Sequence, residues 1–490
     1  MFDVGVVGAG AAGLAAAQVV AAEGRAVLLV ESARLGGECT WNGCVPSKAL
    51  IEAARLRHAI SRADRFGIRV SDARVDFSAL MAHVRDRIGV IAGYEDAGHL
   101  AAAGITVRQG RARLGAGGLL SVDGQPVEAR SVVVCTGSRP AIPPIPGLAD
   151  VPYLTNETVF ELEQQPSHLV VVGAGPIGLE LAQAFARLGT MVEVFDLVDT
   201  LLPREDPDIS RMAQTLLETE GLRFILGAEA GEVRHRNGTF EIDLAAPGGS
   251  QTLRGDALLV ATGRRPNTES LGLEEAGVRV ERTGVVVDGH MRTTAARVYA
   301  AGDVTGILPF THAASYQGRI AGSNALGKRR KADHRVVPWA TFTEPEIAHV
   351  GLTEPEARQR HRHVRTAVLP FSAIDRAVIQ REPRGFLKLI TGNKPVVGHA
   401  GGGDLLGAHI IGPGAGDLIH EFALAMQVRA FAGRLAQTIH AYPTMALGVQ
   451  QATAQLFAAG RAAAGELRED LASDLPRPRP SLADSPIRHR

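Results

Sequence analysis

One construction occurs twice in this chain and limits its fold more than any other feature. Residues 2–31 read FDVGVVGAGAAGLAAAQVVAAEGRAVLLVE: a β-branched strand, a turn carrying Gly8, Gly10 and Gly13, an alanine-rich helix and a second strand closed by Glu31. Residues 168–196 read HLVVVGAGPIGLELAQAFARLGTMVEVFD, with Gly173, Gly175 and Gly178 in the turn and Asp196 at the close. In both copies the acid stands 23 residues after the first glycine. Glycine makes the tight turn, admits a pyrophosphate close to the backbone and lets the helix pack on the strand. The helix N-terminus attracts the phosphate charge, and the acid accepts from a ribose hydroxyl. Two doubly wound α/β domains with two dinucleotide sites are expected.

Each copy has a later echo. VVVCTG delivers Cys135, Thr136 and Gly137 after the first, and LLVATG delivers Ala261, Thr262 and Gly263 after the second. A buried strand that ends in a small residue, a hydroxyl and a glycine suits close packing beside a nucleotide. The strand RVYAAGD then brings Gly302 and Asp303, whose carboxylate can meet a ribityl or ribose hydroxyl. The second copy is thus bracketed by two ends of the first and is read as an insertion. The expected layout is a first nucleotide domain over 1–150 and 269–334, an inserted one over 151–268, and a C-terminal α+β domain over 335–465. That last domain carries strands such as GFLKLIT and LLGAHIIG. Residues 466–490, proline-rich and charged, are expected to be a disordered tail.

Composition removes several classes of function. Lys and Arg total 52 and Asp and Glu total 52, so no global basic field draws the chain to nucleic acid or to an anionic membrane. Apolar stretches fall short of the 18 or more residues of a membrane span. The opening residues run straight into a strand without a basic leader, so a cytoplasmic protein is expected.

The chain has three cysteines, too few for a disulfide framework, so the pair Cys39 and Cys44 reads as redox or metal chemistry. In GGECTWNGCVPSK, Cys44 stands at the start of a helix, where partial positive charge favours thiolate. Cys39 lies in the preceding turn, and four intervening residues allow the approach a disulfide needs. A zinc site requires further ligands, and no second cysteine pair or histidine cluster accompanies this one, so no metal ligands are assigned.

The segment GGECTWNGCVPSK, the two fingerprints, the ATG echoes and the AAGD strand together resemble the class I pyridine nucleotide-disulfide oxidoreductases, the glutathione reductase and lipoamide dehydrogenase class, over residues 1–465. The resemblance implies FAD in the first domain, NADH or NADPH in the inserted one, and a homodimer made through the third. It makes Cys44 the thiolate that contacts the flavin and Cys39 the interchange thiol. It also makes Lys48 a neighbour of the flavin that pairs with Glu180. Charge favours NADH, because Asp196 repels a 2′-phosphate and accepts from a free hydroxyl; Arg204 is the nearest opposing cation.

The chain departs from that class near its C-terminus. Disulfide- and dithiol-active members carry His-Pro-Thr with a glutamate five positions after the histidine; here Tyr442 precedes Pro443 and Thr444, and Leu447 holds the glutamate position. Tyrosine, with a pKa near 10, is a poor proton shuttle at neutral pH. His440 stands two residues too early and is read as structural. Tyrosine here resembles the mercuric reductase branch, as do ELAQAFARLG and PFSAIDRAVIQREPRGFLKLIT, although no cysteine follows Cys135. The expected acceptor is one that needs no imidazole: a metal ion such as Hg(II) or Cu(II), a quinone, or an unusual disulfide. The alternatives are a divergent dihydrolipoamide dehydrogenase and an FAD-holding redox sensor.

Overall fold

The computed structural model describes residues 1–394 and 398–457. The expected tail at 466–490 and the end of the expected C-terminal domain lie outside them. The described chain forms two units, Met1–Asp199 with Ile225–Val337, and Thr200–Phe224 with the residues from Pro338 onward.

The first unit is organised around a five-stranded sheet in the order Val298–Ala300, Ala129–Val134, Phe2–Val7, Val27–Glu31, Ile105–Gln109. Its pairings are parallel. Strands covered on both faces are apolar throughout, and Val4, Val6, Leu29 and Val133 are fully buried. Each such side chain contributes roughly 1.5–3 kcal/mol relative to exposure. The helix Ala11–Ala22 leaves the first strand and packs on helix Thr311–Ala325 almost backbone to backbone. A Cβ on Gly318 would lie 2.1 Å from the Ala12 carbonyl oxygen. This contact explains why the first helix is built of alanine.

A four-stranded sheet follows the second fingerprint, in the order Arg223–Leu226, Met191–Asp196, His168–Val172, Ala257–Val260. The last three strands pair in parallel. An antiparallel three-stranded meander, Glu229–Arg236, Thr239–Ala246 and Gly249–Gly255, adds Phe240, Ile242 and Leu253 to the same core as Val170 and Leu258. The segments after the two echoes pair with each other, Ser138–Pro140 against Arg264–Pro266.

The second unit holds an antiparallel sheet in the order Trp339–Thr341, Glu346–Gly351, Asp404–Gly412, Phe386–Gly392, Val364–Pro370. Helices Ala415–Gln427 and Leu447–Ala454 pack on its strands. The strand Phe386–Gly392 is buried at every residue, so its lysine, Lys388, lies inside. No helix among the described residues is long and apolar enough to cross a membrane.

Candidate active site

The two glycine turns close in the same way. Gly8 has φ +99° and Gly173 φ +112°. A Cβ on Gly8 would lie 2.4 Å from the Cys135 carbonyl oxygen, and one on Gly173 would lie 2.4 Å from that of Ala261. A Cβ on Gly13 would lie 1.8 Å from the Gly8 oxygen, and one on Gly178 2.1 Å from the Gly173 oxygen. Neither the first nor the third glycine admits a side chain. The closing acids are also matched. Glu31 Oε2 accepts from the Ala9 N–H at 2.7 Å and Asp196 Oδ2 from the Ala174 N–H at 2.7 Å. Their second oxygens accept from Ala33 and Val198. A carboxylate has about four acceptor positions, so both acids retain capacity for a ribose.

A phosphate-bearing cofactor fits each turn. Helices Ala11–Ala22 and Pro176–Leu188 begin at Gly10 and Gly175 with no side chain capping their free N–H groups and no acid in their first turns. The middle glycine faces open space: nothing lies within 4 Å of a Cβ built on Gly175, and only Gly37 Cα, at 3.8 Å, approaches one on Gly10.

The echo hydroxyls bond to backbone. The Thr136 hydroxyl donates to the Asn267 carbonyl at 2.7 Å, and that of Thr262 donates to the Ala141 carbonyl at 2.8 Å, so both protons are spent on backbone. Gly137 and Gly263 adopt φ of +68° and +133° with no neighbour within 4 Å of a Cβ. Gly302 lies against helix Ala11–Ala22, its built Cβ 2.9 Å from Ala12 Cβ. Asp303 accepts from Ser138 Oγ at 2.6 Å and lies 3.7 Å from Arg264 Nε.

Between the first nucleotide strand pair and the helix Cys44–Ser61, Gly36 (φ +95°) and Gly37 (φ +65°) turn the chain into the short helix Gly37–Trp41, which carries Cys39. Cys44 is the first residue of the longer helix and is exposed, whereas Cys39 is half-buried. The Cys39 thiol donates to the Cys44 sulfur, which pulls the Cys44 pKa down to about 6; Thr311 and the Lys48 charge act in the same direction, against the desolvation of the site. The same hydrogen bond and partial burial push the Cys39 thiol up. At neutral pH the pair holds one proton on Cys39 and a thiolate on Cys44. Cys135, by contrast, is buried and pushed up to about 12, an inert thiol.

Lys48 lies one helical turn beyond Cys44, and its Nζ donates to Glu180 Oε2 at 2.7 Å. Glu180 is buried on helix Pro176–Leu188, so this pair ties the cysteine helix to the second fingerprint helix. Four participants carry no motif in the sequence. Thr311, at the start of its helix, places Oγ1 3.6 Å from Cys44 Sγ. Glu38 receives the Arg264 guanidinium and the Asn156 amide beside Cys39; burial raises its pKa against those partners. These residues meet across separations of 118–267 positions, and only the position of Thr311 at a helix start gave a local signal.

Tyr442, which stands at the position of that class's histidine, belongs to the second unit. Tyr442 is exposed, and its hydroxyl donates to Asp375 Oδ2 at 2.8 Å, which raises its pKa. His440 Nε2 lies 3.0 Å from Glu421 Oε1, and its Nδ1 contacts the Thr438 carbonyl. Leu447 opens the helix Leu447–Ala454.

Two phosphate cradles, an acid at each strand end and a poised thiol pair define an oxidoreductase that couples a nucleotide cofactor to sulfur. Residues 2–318 match the family model described as pyridine nucleotide-disulphide oxidoreductase, and residues 337–453 match that family's dimerisation domain. The chain belongs to the pyridine nucleotide-disulphide oxidoreductases, NAD(P)H-dependent flavoprotein enzymes that use FAD. It is 39% identical over 464 residues to a mercuric reductase of Streptomyces lividans, covering 93% of this chain and 96% of that one. It is 38% identical over 463 residues to a dihydrolipoyl dehydrogenase of Thermus scotoductus, covering 93% and 97%. Among solved structures it resembles the HOCl-induced flavoprotein disulfide reductase RclA from Escherichia coli, with TM-score 0.82 and 30% identity over 92% of this chain and 99% of that one. The Cu(II) complex of that protein matches with TM-score 0.81 and 29% identity over 93% and 99%. The dimerisation-domain match supports a homodimer.

Proposed function

We propose that this enzyme oxidises NADH and delivers the electron pair through the Cys39–Cys44 couple to an acceptor that needs no imidazole, a metal ion such as Hg(II) or Cu(II) before a quinone or an unusual disulfide. The observation that carries the reading is the setting of Cys44, first residue of its helix, with Thr311 Oγ1 at 3.6 Å and Lys48 one turn on, which together with the Cys39 thiol lowers its pKa to about 6 and favours thiolate. A thiolate is the form that ligates a soft cation or attacks sulfur. When bound, FAD supplies the two-electron link between the nicotinamide and the cysteines. Gly8, Gly10, Gly13 and Glu31 would hold it, with Gly137, Gly302, Asp303 and the Thr136 oxygen lining the same side. Gly173, Gly175, Gly178, Asp196 and Gly263 would hold NADH, and the Asp196 charge disfavours a 2′-phosphate.

In the reduced pair Cys39 keeps a proton and Cys44 keeps the negative charge, which Lys48 offsets while Glu180 fixes the ammonium. A divalent ion bound by the two sulfurs displaces the Cys39 proton to solvent, and as the sulfurs form a disulfide their two electrons pass to one Hg(II), giving Hg(0), or singly to two Cu(II) ions, giving two Cu(I). No imidazole is called on, which accords with Tyr442 and Leu447 at the dyad positions. The relatives called mercuric reductase and the RclA Cu(II) complex support a metal acceptor. The cytoplasm is the compartment that would keep such a couple reducible.

A second reading, a divergent dihydrolipoyl dehydrogenase, is favoured by the imidazole–carboxylate pair His440–Glu421 and by the relatives of that name. An anaerobic acceptor panel separates the two. NADH oxidation should depend on Hg(II) or Cu(II), vanish in Cys39→Ser and stay high in Tyr442→Phe. Lipoamide should turn over slowly until Tyr442→His restores an imidazole. Brisk lipoamide turnover by the unaltered enzyme would overturn the proposal.

A further inference from the structure

The antiparallel sheet of the second unit carries a polar row across its strands. Trp339 is in register with His349, His349 with His409, and His409 with Lys388, on four adjacent strands. His349, His409 and Lys388 are each 0–1% exposed. The segment Thr200–Phe224 meets this row with Glu205 and Asp206, both buried.

At one end the charges balance. Lys388 Nζ lies 2.8 Å from Asp206, 2.6 Å from Asp208 and 2.7 Å from Glu354, and Arg211 and Arg358 pair in turn with Asp208 and Glu354. At the other end they do not. Glu205 Oε1 accepts from Trp339 Nε1 at 2.6 Å, but its Oε2 is buried with no hydrogen-bond partner. Among the described residues no lysine or arginine pairs with Glu205.

The imidazoles beside it are fixed in one tautomer. His349 Nε2 lies 2.9 Å from the Gly351 carbonyl oxygen, and His409 Nε2 lies 3.0 Å from that of Leu352. A carbonyl only accepts, so each Nε2 carries a proton, and in a neutral imidazole Nδ1 is then a bare lone pair. Both Nδ1 atoms are buried without a partner. Trp339 stacks on His349 at 3.7 Å, and the two imidazoles meet edge to face at 4.6 Å, which locks the ring planes. Three potential ligand atoms, Glu205 Oε2, His349 Nδ1 and His409 Nδ1, lie within 4.8 Å of one another. Buried acceptors that face each other repel unless a cation lies between them.

We propose that Glu205 Oε2, His349 Nδ1 and His409 Nδ1 form a binding site for a divalent transition-metal ion of the Zn(II) kind, distinct from the redox cysteines and acting as a structural brace. Two imidazoles and a carboxylate are a zinc ligand set, with a fourth position left for water. Zinc bonds of about 2.0–2.1 Å put ligand atoms roughly 3.4 Å apart, and Glu205 Oε2 and His349 Nδ1 are already 3.4 Å apart. The backbone carbonyls behind both rings, and the indole behind the carboxylate, are the outer partners that orient such ligands. The ion would tie the chain at Glu205 to two neighbouring strands and neutralise the carboxylate that the lysine end leaves over.

The test uses full-length, FAD-loaded protein carrying Cys39→Ser and Cys44→Ser, so that the thiols bind nothing. After chelator treatment and dialysis against Zn(II), metal analysis should find about one ion per chain, with X-ray absorption showing only nitrogen and oxygen neighbours and imidazole scattering. Thermal unfolding should move to higher temperature with added Zn(II). Glu205→Gln, which keeps the shape and the Trp339 contact, and His409→Gln should each weaken Zn(II) binding by about 100-fold or more while FAD content and circular dichroism stay unchanged. Less than a tenth of an ion per chain in the unvaried site would overturn the proposal, as would Zn(II) affinity unaltered by Glu205→Gln, which would leave an imidazolium–carboxylate pair as the answer. If His409→Gln does not fold, Glu205→Gln alone decides.

Discussion

The two strand–turn–helix copies share one cradle and differ in what is laid over it. First and third glycines, the carbonyls they touch and the acid bonded to the turn agree closely between residues 8–31 and 173–196. Over the first cradle, however, the loop that leads to the cysteines comes down on the middle glycine: a Cβ on Gly37 would lie 2.6 Å from Gly10 Cα. Nothing comparable approaches Gly175. On the proposed reading the cradle is a generic phosphate device, and the chemistry belongs to the loop that only the first copy carries. A duplicated motif therefore predicts two similar ligands, and a single unduplicated insertion decides which of them meets sulfur.

The largest effects should come from breaking the cradles one at a time. Gly13→Ala and Gly178→Ala drive a methyl to 1.8 Å and 2.1 Å from a backbone oxygen that cannot move without the turn, at a cost of about 3 kcal/mol each. Their phenotypes should separate. Gly13→Ala should purify colourless, without FAD, whereas Gly178→Ala should stay yellow and lose reduction by NADH. Yellow Gly13→Ala protein that NADH still reduces would break the assignment of the first cradle.

A smaller contrast lies in the acids. Asp196→Asn removes the charge that disfavours a 2′-phosphate, so the ratio of kcat/KM for NADH over NADPH should fall about tenfold. Glu31→Gln should leave that ratio alone and loosen FAD. Steady-state kinetics with both nucleotides checks both halves, and an unchanged ratio in Asp196→Asn would remove the charge argument for NADH.

The cradles were legible because their glycines and closing acid lie within 23 positions of the first glycine, where turn sterics and helix polarity act locally. The same is true of Cys44 at a helix start and of Lys48 one turn on. What faces them was not legible. Thr311 and Arg264 reach Cys44 and Glu38 only because distant strands converge. The Thr136 hydroxyl donates to the Asn267 carbonyl, 131 positions away. In GFLKLIT a single lysine sits among apolar residues and every position of the strand Phe386–Gly392 is buried, so Lys388 needs carboxylates that the strand itself does not supply. The His349–His409 pair depends on strand register 60 positions apart, and no spacing along the chain announces it.

The thiol pair offers a prediction with a pH axis. Because the Cys44 pKa is lowered to about 6, the thiolate is present above that pH and is lost as pH falls through it. Iodoacetamide labelling of the reduced enzyme at Cys44 should therefore rise with pH around a midpoint near 6. Lys48→Met removes the cation one turn away and leaves the Glu180 charge, both of which favour the protonated form, so the midpoint should move up by roughly one unit or less. A downward shift would mean that Lys48 does not stabilise the thiolate.

The smallest effect on stability should come from the middle glycines, and that smallness is the point. Gly10 and Gly175 have φ of −82° and −81°, extended backbone that alanine adopts without strain. A methyl on Gly175 meets nothing within 4 Å, and one on Gly10 meets only an ordinary contact. Alanine at either position should leave unfolding of the cofactor-free chain unchanged or raise it by about 0.4–1 kcal/mol through loss of backbone freedom in the unfolded state. Binding should respond instead, because the methyl projects where a pyrophosphate must approach the turn. Gly175→Ala should raise the KM for NADH by about tenfold with FAD retained, and Gly10→Ala should weaken FAD with the inserted domain untouched. A Gly175→Ala enzyme with unaltered KM would show that this open space is not where the phosphates come in, and would confine the shared cradle to a packing role in the second copy.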